Sequence, residues 1–96
     1  MGIAYYVENQ MHERTEQLLD DAQETLMNLC ETAPEGTIRT SISKHGDTML
    51  NVYQLRRLID ELAEIQDDQY KEVAAKLSEA AERAVRLRGY LYFVGD

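Results

Sequence analysis

The sequence predicts an α+β, mostly helical domain: three helices with a small antiparallel β-hairpin, which an N-terminal or C-terminal strand can extend. Three observations predict it. Apolar residues recur at helical spacing over three long stretches, the period switches to alternation in mid-chain, and short aromatic runs stand at both ends.

Ile3 to Val7 is apolar and aromatic and reads as a short strand. From Gln10 to Thr32, Met11, Leu18, Ala22, Leu26, Leu29 and Cys30 keep to helical spacing, with Glu13, Glu16, Asp20, Asp21 and Glu24 among them. An amphipathic helix is expected there, with Asn9 as its N-cap. Pro34 and Gly36 then end it.

Thr37 to Ser43 alternates and is rich in β-branched residues, so it reads as a strand. Lys44-His45-Gly46-Asp47 is a turn signal, and Thr48 to Asn51 is a second strand. With His45-Gly46 as a two-residue loop, Ile42 is expected to face Met49 across the hairpin.

Asn51-Val52-Tyr53-Gln54 has the form of a capping box, so a helix should begin at Val52. Val52, Leu55, Leu58, Ile59, Leu62 and Ile65 form its apolar face, and Arg56, Arg57, Asp60, Glu61 and Glu64 its wet one. Asp67 or Asp68 caps a last, longer helix that turns Tyr70, Val73, Ala74, Leu77, Ala80, Ala81, Ala84 and Leu87 inward. The short link makes the two helices an antiparallel pair. Alanine in the middle of the last helix allows its neighbour to approach closely, and Gly89 marks the stop. Tyr90 to Val94 reads as a closing strand that can pair with the hairpin or with Ile3 to Val7; Leu91 and Phe93 are expected to close the core beside Tyr5 or Tyr6, and the alternative is that the Gly89–Asp96 segment is an exposed partner-binding patch.

Ninety-six residues suit a single domain, 1–96, with one modest core of mainly Leu, Ile, Val, Ala and Met. Cys30 stands alone, so no internal disulfide can form and a reducing compartment is expected. Met1 to Val7 lacks a basic start and runs straight into Glu8, which is unlike a signal peptide. No apolar run approaches the roughly 20 residues that span a bilayer. A cytoplasmic location is the expectation.

The net charge of −8 disfavours binding to nucleic acid, where clustered Lys and Arg must displace counterions, and to anionic membranes. Residues 1–35 hold eight acids against one base. A field of that sign speeds encounter with a basic partner, although it also serves solubility.

Catalytic and metal motifs are weak. His12, His45 and Cys30 share no metal-ligand spacing, and His12-Glu13 lacks the second His of a zinc-protease helix, since Glu16 stands in its place. Ser41, Ser43, His45 and Asp47 are close in sequence but typical of a turn. The glycines at 2, 36, 46, 89 and 95 form no phosphate loop. No cofactor, no metal and no catalytic residue is expected.

Gly46-Asp47-Thr48, then Asn51, Gln54, Leu58 and Glu61-Leu62, then the closing Tyr90-Leu91-Tyr92-Phe93-Val94-Gly95-Asp96, resembles a poorly characterised family of small acidic bacterial proteins, some of immunity-protein type. The likeness covers the second half of the chain and implies a binding role with no catalytic residue. The expected function is a non-enzymatic protein-binding domain, an immunity-type inhibitor that masks the basic cleft of a bacterial toxin with its acidic surface. Glu13, Glu16, Asp20, Asp21, Glu24, Asp60, Glu61, Glu64, Asp67 and Asp68 are the expected contacts. The alternative is a helical structural or regulatory module that forms a homodimer through its Leu and Ala stripe.

Overall fold

The computed structural model describes residues 3–95, in the order β1 (Ala4–Glu8), β2 (Arg14–Leu19), α1 (Thr25–Glu31), a 3₁₀ turn (Ile38–Ser41), β3 (Asp47–Leu50), α2 (Val52–Ala63), α3 (Asp68–Arg86) and β4 (Tyr90–Val94). Met1 and Gly2 of the opening run and Asp96 of the closing segment lie outside the described residues. The fold is α+β with three helices, and its sheet is larger than the expected hairpin: four antiparallel strands in the order β2-β1-β4-β3.

The two terminal strands lie together at the centre of the sheet. Ala4 pairs with Val94, Tyr6 with Tyr92 and Glu8 with Tyr90. Strand period then divides the side chains. Tyr5, Val7, Leu91 and Phe93 point to the helices and are buried, with the Tyr5 and Phe93 rings stacked at 5.3 Å, whereas Tyr6, Tyr90 and Tyr92 point to the opposite side. The closing segment thus seals the core with one set of residues and leaves another set outside.

The helix expected over Gln10–Thr32 is not one element. Asn9 does cap, but it caps a turn: its Oδ1 accepts the backbone N–H of Met11 at 2.9 Å and of Glu13 at 3.0 Å. His12 donates its N–H to the Asn9 carbonyl and takes φ 63°, the left-handed residue that closes a three-residue hairpin loop. Arg14–Leu19 then runs back along β1, Gln17 opposite Tyr6 and Glu16 opposite Val7. Glu, Gln and Leu favour helix by intrinsic propensity; here cross-strand pairing overrides it. Met11, expected on an apolar face, is exposed at the loop tip.

Only the end of that stretch is helical. Asp20 sets its start, its carboxylate accepting the N–H groups of Asp21, Leu26 and Met27 at 2.8–3.0 Å, while Asp21 accepts that of Thr25 at 2.9 Å. Those hydrogen bonds satisfy donors that a helix start leaves unpaired. α1 buries Leu26, Met27, Leu29 and Cys30. Burial pushes the Cys30 thiol up to about 12 and keeps it protonated.

The strand expected over Thr37–Ser43 is replaced by the 3₁₀ turn. The cause lies on α2: Glu61 accepts the backbone N–H of Ile38 at 2.6 Å and that of Arg39 at 3.4 Å, and pairs with the Arg39 guanidinium at 3.3 Å. β3 forms where the second strand was expected, one residue earlier at each end, but pairs with β4. Ile42 is buried and Met49 stands half-exposed on the far side of the sheet, so the two do not face each other.

The helical pair follows the sequence closely. Gln54 N–H reaches Asn51 Oδ1 at 3.0 Å and Asn51 N–H reaches Gln54 Oε1 at 2.8 Å, the reciprocal capping box. Asp67 caps α3 through Gln69 N–H at 2.9 Å. Ala74, Ala80, Ala81 and Ala84 are buried with Leu77 against α2 and the sheet. Leu87, expected inward, follows the last helical turn and is exposed. Arg88 then adopts φ 55° and Gly89 donates to the Ala84 carbonyl at 2.9 Å, which turns the chain into β4. A β-carbon at Gly89 would overlap the Glu8 carbonyl oxygen, so only glycine lets α3 end this close to β1.

Candidate functional site

α2 and α3 pack on one face of the sheet, with α1 against α3, and among the described residues no helix covers the other face. Period-two alternation places Ala4, Tyr6 and Glu8 of β1, Tyr90, Tyr92 and Val94 of β4, Gln17 and Leu19 of β2 and Asp47 and Met49 of β3 on it. Tyr6 and Tyr92 sit side by side at its centre. Leu19 is 64% and Met49 46% exposed, so apolar surface continues to both edges.

The β1–β2 bulge aims Arg14 onto this face. Its guanidinium carbon lies 3.9 Å from the centre of the Tyr6 ring and 5.3 Å from that of Tyr92, and its Nε is 3.5 Å from Glu8 Oε2. His12 stacks on Tyr90 at 4.3 Å and its Nδ1 meets Glu8 Oε1 at 3.1 Å. Glu8 is therefore a carboxylate only 3% exposed, held under one histidine and one arginine. Burying a charge is costly unless it is paired and hydrogen-bonded, and both partners meet that need here. Tyr92 donates its hydroxyl to Asp47 at 2.8 Å, an acceptor that holds the phenol above its usual pKa. The result is a pre-ordered aromatic face in which Tyr6, Tyr90 and Tyr92 each have a charged or stacked partner, and Tyr6 has both Arg14 and the Gln17 amide.

The ten acids expected to meet a partner are dispersed, and several are engaged within the fold. Asp20 and Asp21 hold the start of α1, Asp67 that of α3, and Glu61 the 3₁₀ turn. Glu16 faces the helices and pairs with Arg83 at 2.6 Å. Glu24 lies 3.8 Å from Lys44, Asp68 3.3 Å from Lys71, and Glu13 accepts the Asn9 amide at 2.9 Å. Asp60, Glu61 and Glu64 line one shallow groove together with Arg57, while Asp20 and Asp21 line a separate cleft opposite Glu72 and Lys76. The structure thus brings five of the ten acids together in two places and leaves Glu13, Glu16, Glu24, Asp67 and Asp68 outside both.

No family model matches the chain, and neither a curated protein nor a solved structure is similar to it. The site therefore rests on geometry. Among the described residues, no three His, Cys, Asp or Glu side chains are grouped as metal ligands, and no helix is long and apolar enough to cross a membrane. In the Ser41–Asp47 segment the Ser41 hydroxyl donates to the Ile38 carbonyl, the Ser43 oxygen accepts His45 N–H, and Asp47 accepts the Tyr92 hydroxyl.

Sequence reasoning missed Tyr6, Glu8, His12, Arg14 and Met49 as one surface. The signal present was the alternation of Tyr90, Leu91, Tyr92 and Phe93, which in a strand separates two rings from the core. What could not be read was that β2, taken for a helix, places Arg14 on the same face.

Proposed function

We propose that the chain is a non-enzymatic protein-binding domain that docks through the open face of its sheet onto a basic protein, in the manner of an immunity-type inhibitor masking the basic cleft of a bacterial toxin. The observation that carries this reading is the uncovered Tyr6–Tyr92–Tyr90 face with Arg14 and Met49. Tyr, Arg and Met are the residues enriched at the centres of protein interfaces, where rigid rings contribute area at low entropic cost. Preorganisation by Glu8, His12 and Asp47 reduces what ordering would cost on binding. The charge of −8 selects a basic partner and speeds encounter with it.

The acids that remain exposed, Glu13, Asp21, Asp60, Glu64, Asp67 and Asp68, act in this reading through long-range steering, while the rings supply the contact. The test is to express the product of the adjacent reading frame, where an inhibitor's target is expected, and to measure complex formation and growth protection. Tyr92→Ala should weaken the complex at least about 30-fold, the loss expected of a 2 kcal/mol anchor, and abolish protection. Equal affinity of the variant would remove the reading.

The second reading, a homodimer, loses the surface first expected for it. The Leu and Ala stripe first expected to form a homodimer is buried inside the monomer, so self-association would have to use the same open face. Sedimentation equilibrium separates the two: a stable dimer that Tyr92→Ala dissociates favours self-pairing, and a monomer favours the heterologous partner.

A further inference from the structure

The strand order leaves β2 and β3 as the two edges of the sheet, and the chain treats them differently. β3 is short, and its Thr48 hydroxyl donates to the Ser41 carbonyl at 3.0 Å and accepts the Ser43 N–H at 3.3 Å, which holds residues 41–43 beside it. Residues 16–19 of β2 pair with β1 without a break and include no proline or lysine, and among the described residues no element pairs with their outer side. The Asp20 N–H donates to the Ile3 carbonyl at 3.0 Å, and an antiparallel ladder alternates from such a pair. Leu18 and Glu16 therefore bond to Tyr5 and Val7, whereas the backbone N–H and C=O groups of Gln17 and Leu19 point outward, where no hydrogen bond reaches them among the described residues. Edge strands are usually blunted by charge. Here Arg14 is turned over Tyr6 and Glu16 is paired with Arg83, so residues 17–19 present none.

We propose that β2 receives a fifth, antiparallel strand from the basic partner, an extended segment in which apolar or aromatic residues alternate with Lys or Arg. Residues directly opposite one another in an antiparallel pair share a face. The apolar set, opposite Gln17 and Leu19, therefore exchanges the backbone hydrogen bonds and continues the open face past Leu19, which is 64% exposed. The cations fall on the helix side, where Glu16, Asp20, Asp21 and Glu72 outnumber Lys76 and Arg83. A second copy of the chain would bring its own charge of −8 to this edge, so the field selects a basic segment over self-pairing. The inference deepens the docking reading and rests on it for the basic partner, adding main-chain pairing at the edge to the contact made by the rings.

The experiment is an amide NMR titration of the intact chain with a capped peptide of sequence Lys-Val-Lys-Tyr-Lys-Val. Two N-methylated versions separate main-chain pairing from charge attraction: methyl groups on the valine and tyrosine nitrogens remove the donors that meet β2, and methyl groups on the lysine nitrogens do not. Saturable shifts at Gln17 and Leu19 are expected, with affinity lowered at least about tenfold by the first set and less than about threefold by the second. Gln17→Pro, which removes an outward N–H, should weaken the peptide about five- to tenfold. Leu19→Lys, a charge at an exposed position, should also weaken it, by repulsion and without relying on the fit of proline. Tyr92→Ala, on a strand separated from β2 by β1, should leave the titration unchanged, so loss of the docking reading and loss of the edge give different results. Equal effects of the two N-methylated peptides, the reverse preference, equal binding by a peptide with glutamate in place of lysine, or no shifts at all would overturn the fifth strand. A dimer that Gln17→Pro dissociates would give the edge to a second copy and overturn the basic segment.

Discussion

Glu61 of α2 accepts the backbone N–H of Ile38 at 2.6 Å and pairs with the guanidinium of Arg39, a residue only 6% exposed. One carboxylate thus ends a strand-like sequence as a 3₁₀ turn and neutralises a buried cation. Glu61→Ala should destabilise the fold by about 3 kcal/mol, because it leaves a buried charge and a backbone donor unpaired. Glu61→Gln, which keeps an acceptor, should cost less. Urea midpoints measure both, and an alanine variant within about 0.5 kcal/mol of wild type would refute the role.

Gly89 and Gly36 give a paired prediction. A β-carbon at Gly89 would collide with the Glu8 carbonyl and crowd the backbone of Asn9, whereas one at Gly36 would meet open space and only the strain of φ +86°. Gly36→Ala should cost about 1 kcal/mol, the ordinary left-handed penalty. Gly89→Ala should cost several-fold more or prevent folding, since the clash is with backbone that cannot rotate away. Thermal melts of the two variants decide it.

Alkaline pH should unfold the protein early. The Cys30 thiol is raised from 9.0 to about 12 and the Tyr5 phenol from 10.0 to about 12, in both cases chiefly by burial. Above pH 9 the unfolded chain releases protons that the folded chain retains, so stability is full below that value and falls as pH rises toward 12. Cys30→Ala removes the lower edge of that window. Its stability should decline only from about pH 10, beyond the cost of the substitution itself, and an unchanged onset would show that the thiol does not contribute.

The open face should be separable from stability. Arg14 stacks on Tyr6, worth about 0.5–1 kcal/mol, and pairs with the buried Glu8, so Arg14→Ala should cost up to about 3 kcal/mol, whereas Arg14→Lys, which keeps a cation beside Glu8, should hold the midpoint within about 1 kcal/mol while lowering partner affinity. A large loss of stability with no loss of affinity would make the arginine structural.

Much of the second half of the chain was legible from sequence, because its signals are local. The Asn51–Gln54 box, the Asp67 cap and the alanine-rich helix each act within a few residues of themselves and appear as read, whereas Gly89 is required by the distant Glu8 carbonyl and Arg88 takes the left-handed turn. The first half is shaped by Asn9, Asp20 and, from α2, Glu61, which have the right chemistry but serve partners that local pattern does not name: a turn, a helix six residues on, and a backbone segment 22 and 23 residues away.

The sequence by itself determined an α+β class, one core, an acidic charge and the two capped helices, since composition and near-neighbour periodicity suffice for these. Tertiary structure alone decided that Arg14–Leu19 is a strand, that the chain ends pair at the centre of the sheet, and that Tyr6, Arg14, Tyr90 and Tyr92 share one uncovered face. The physical reason is that strand pairing is non-local. A helix satisfies its backbone from within, whereas a strand acquires its partners, and so its two faces, only when distant segments meet.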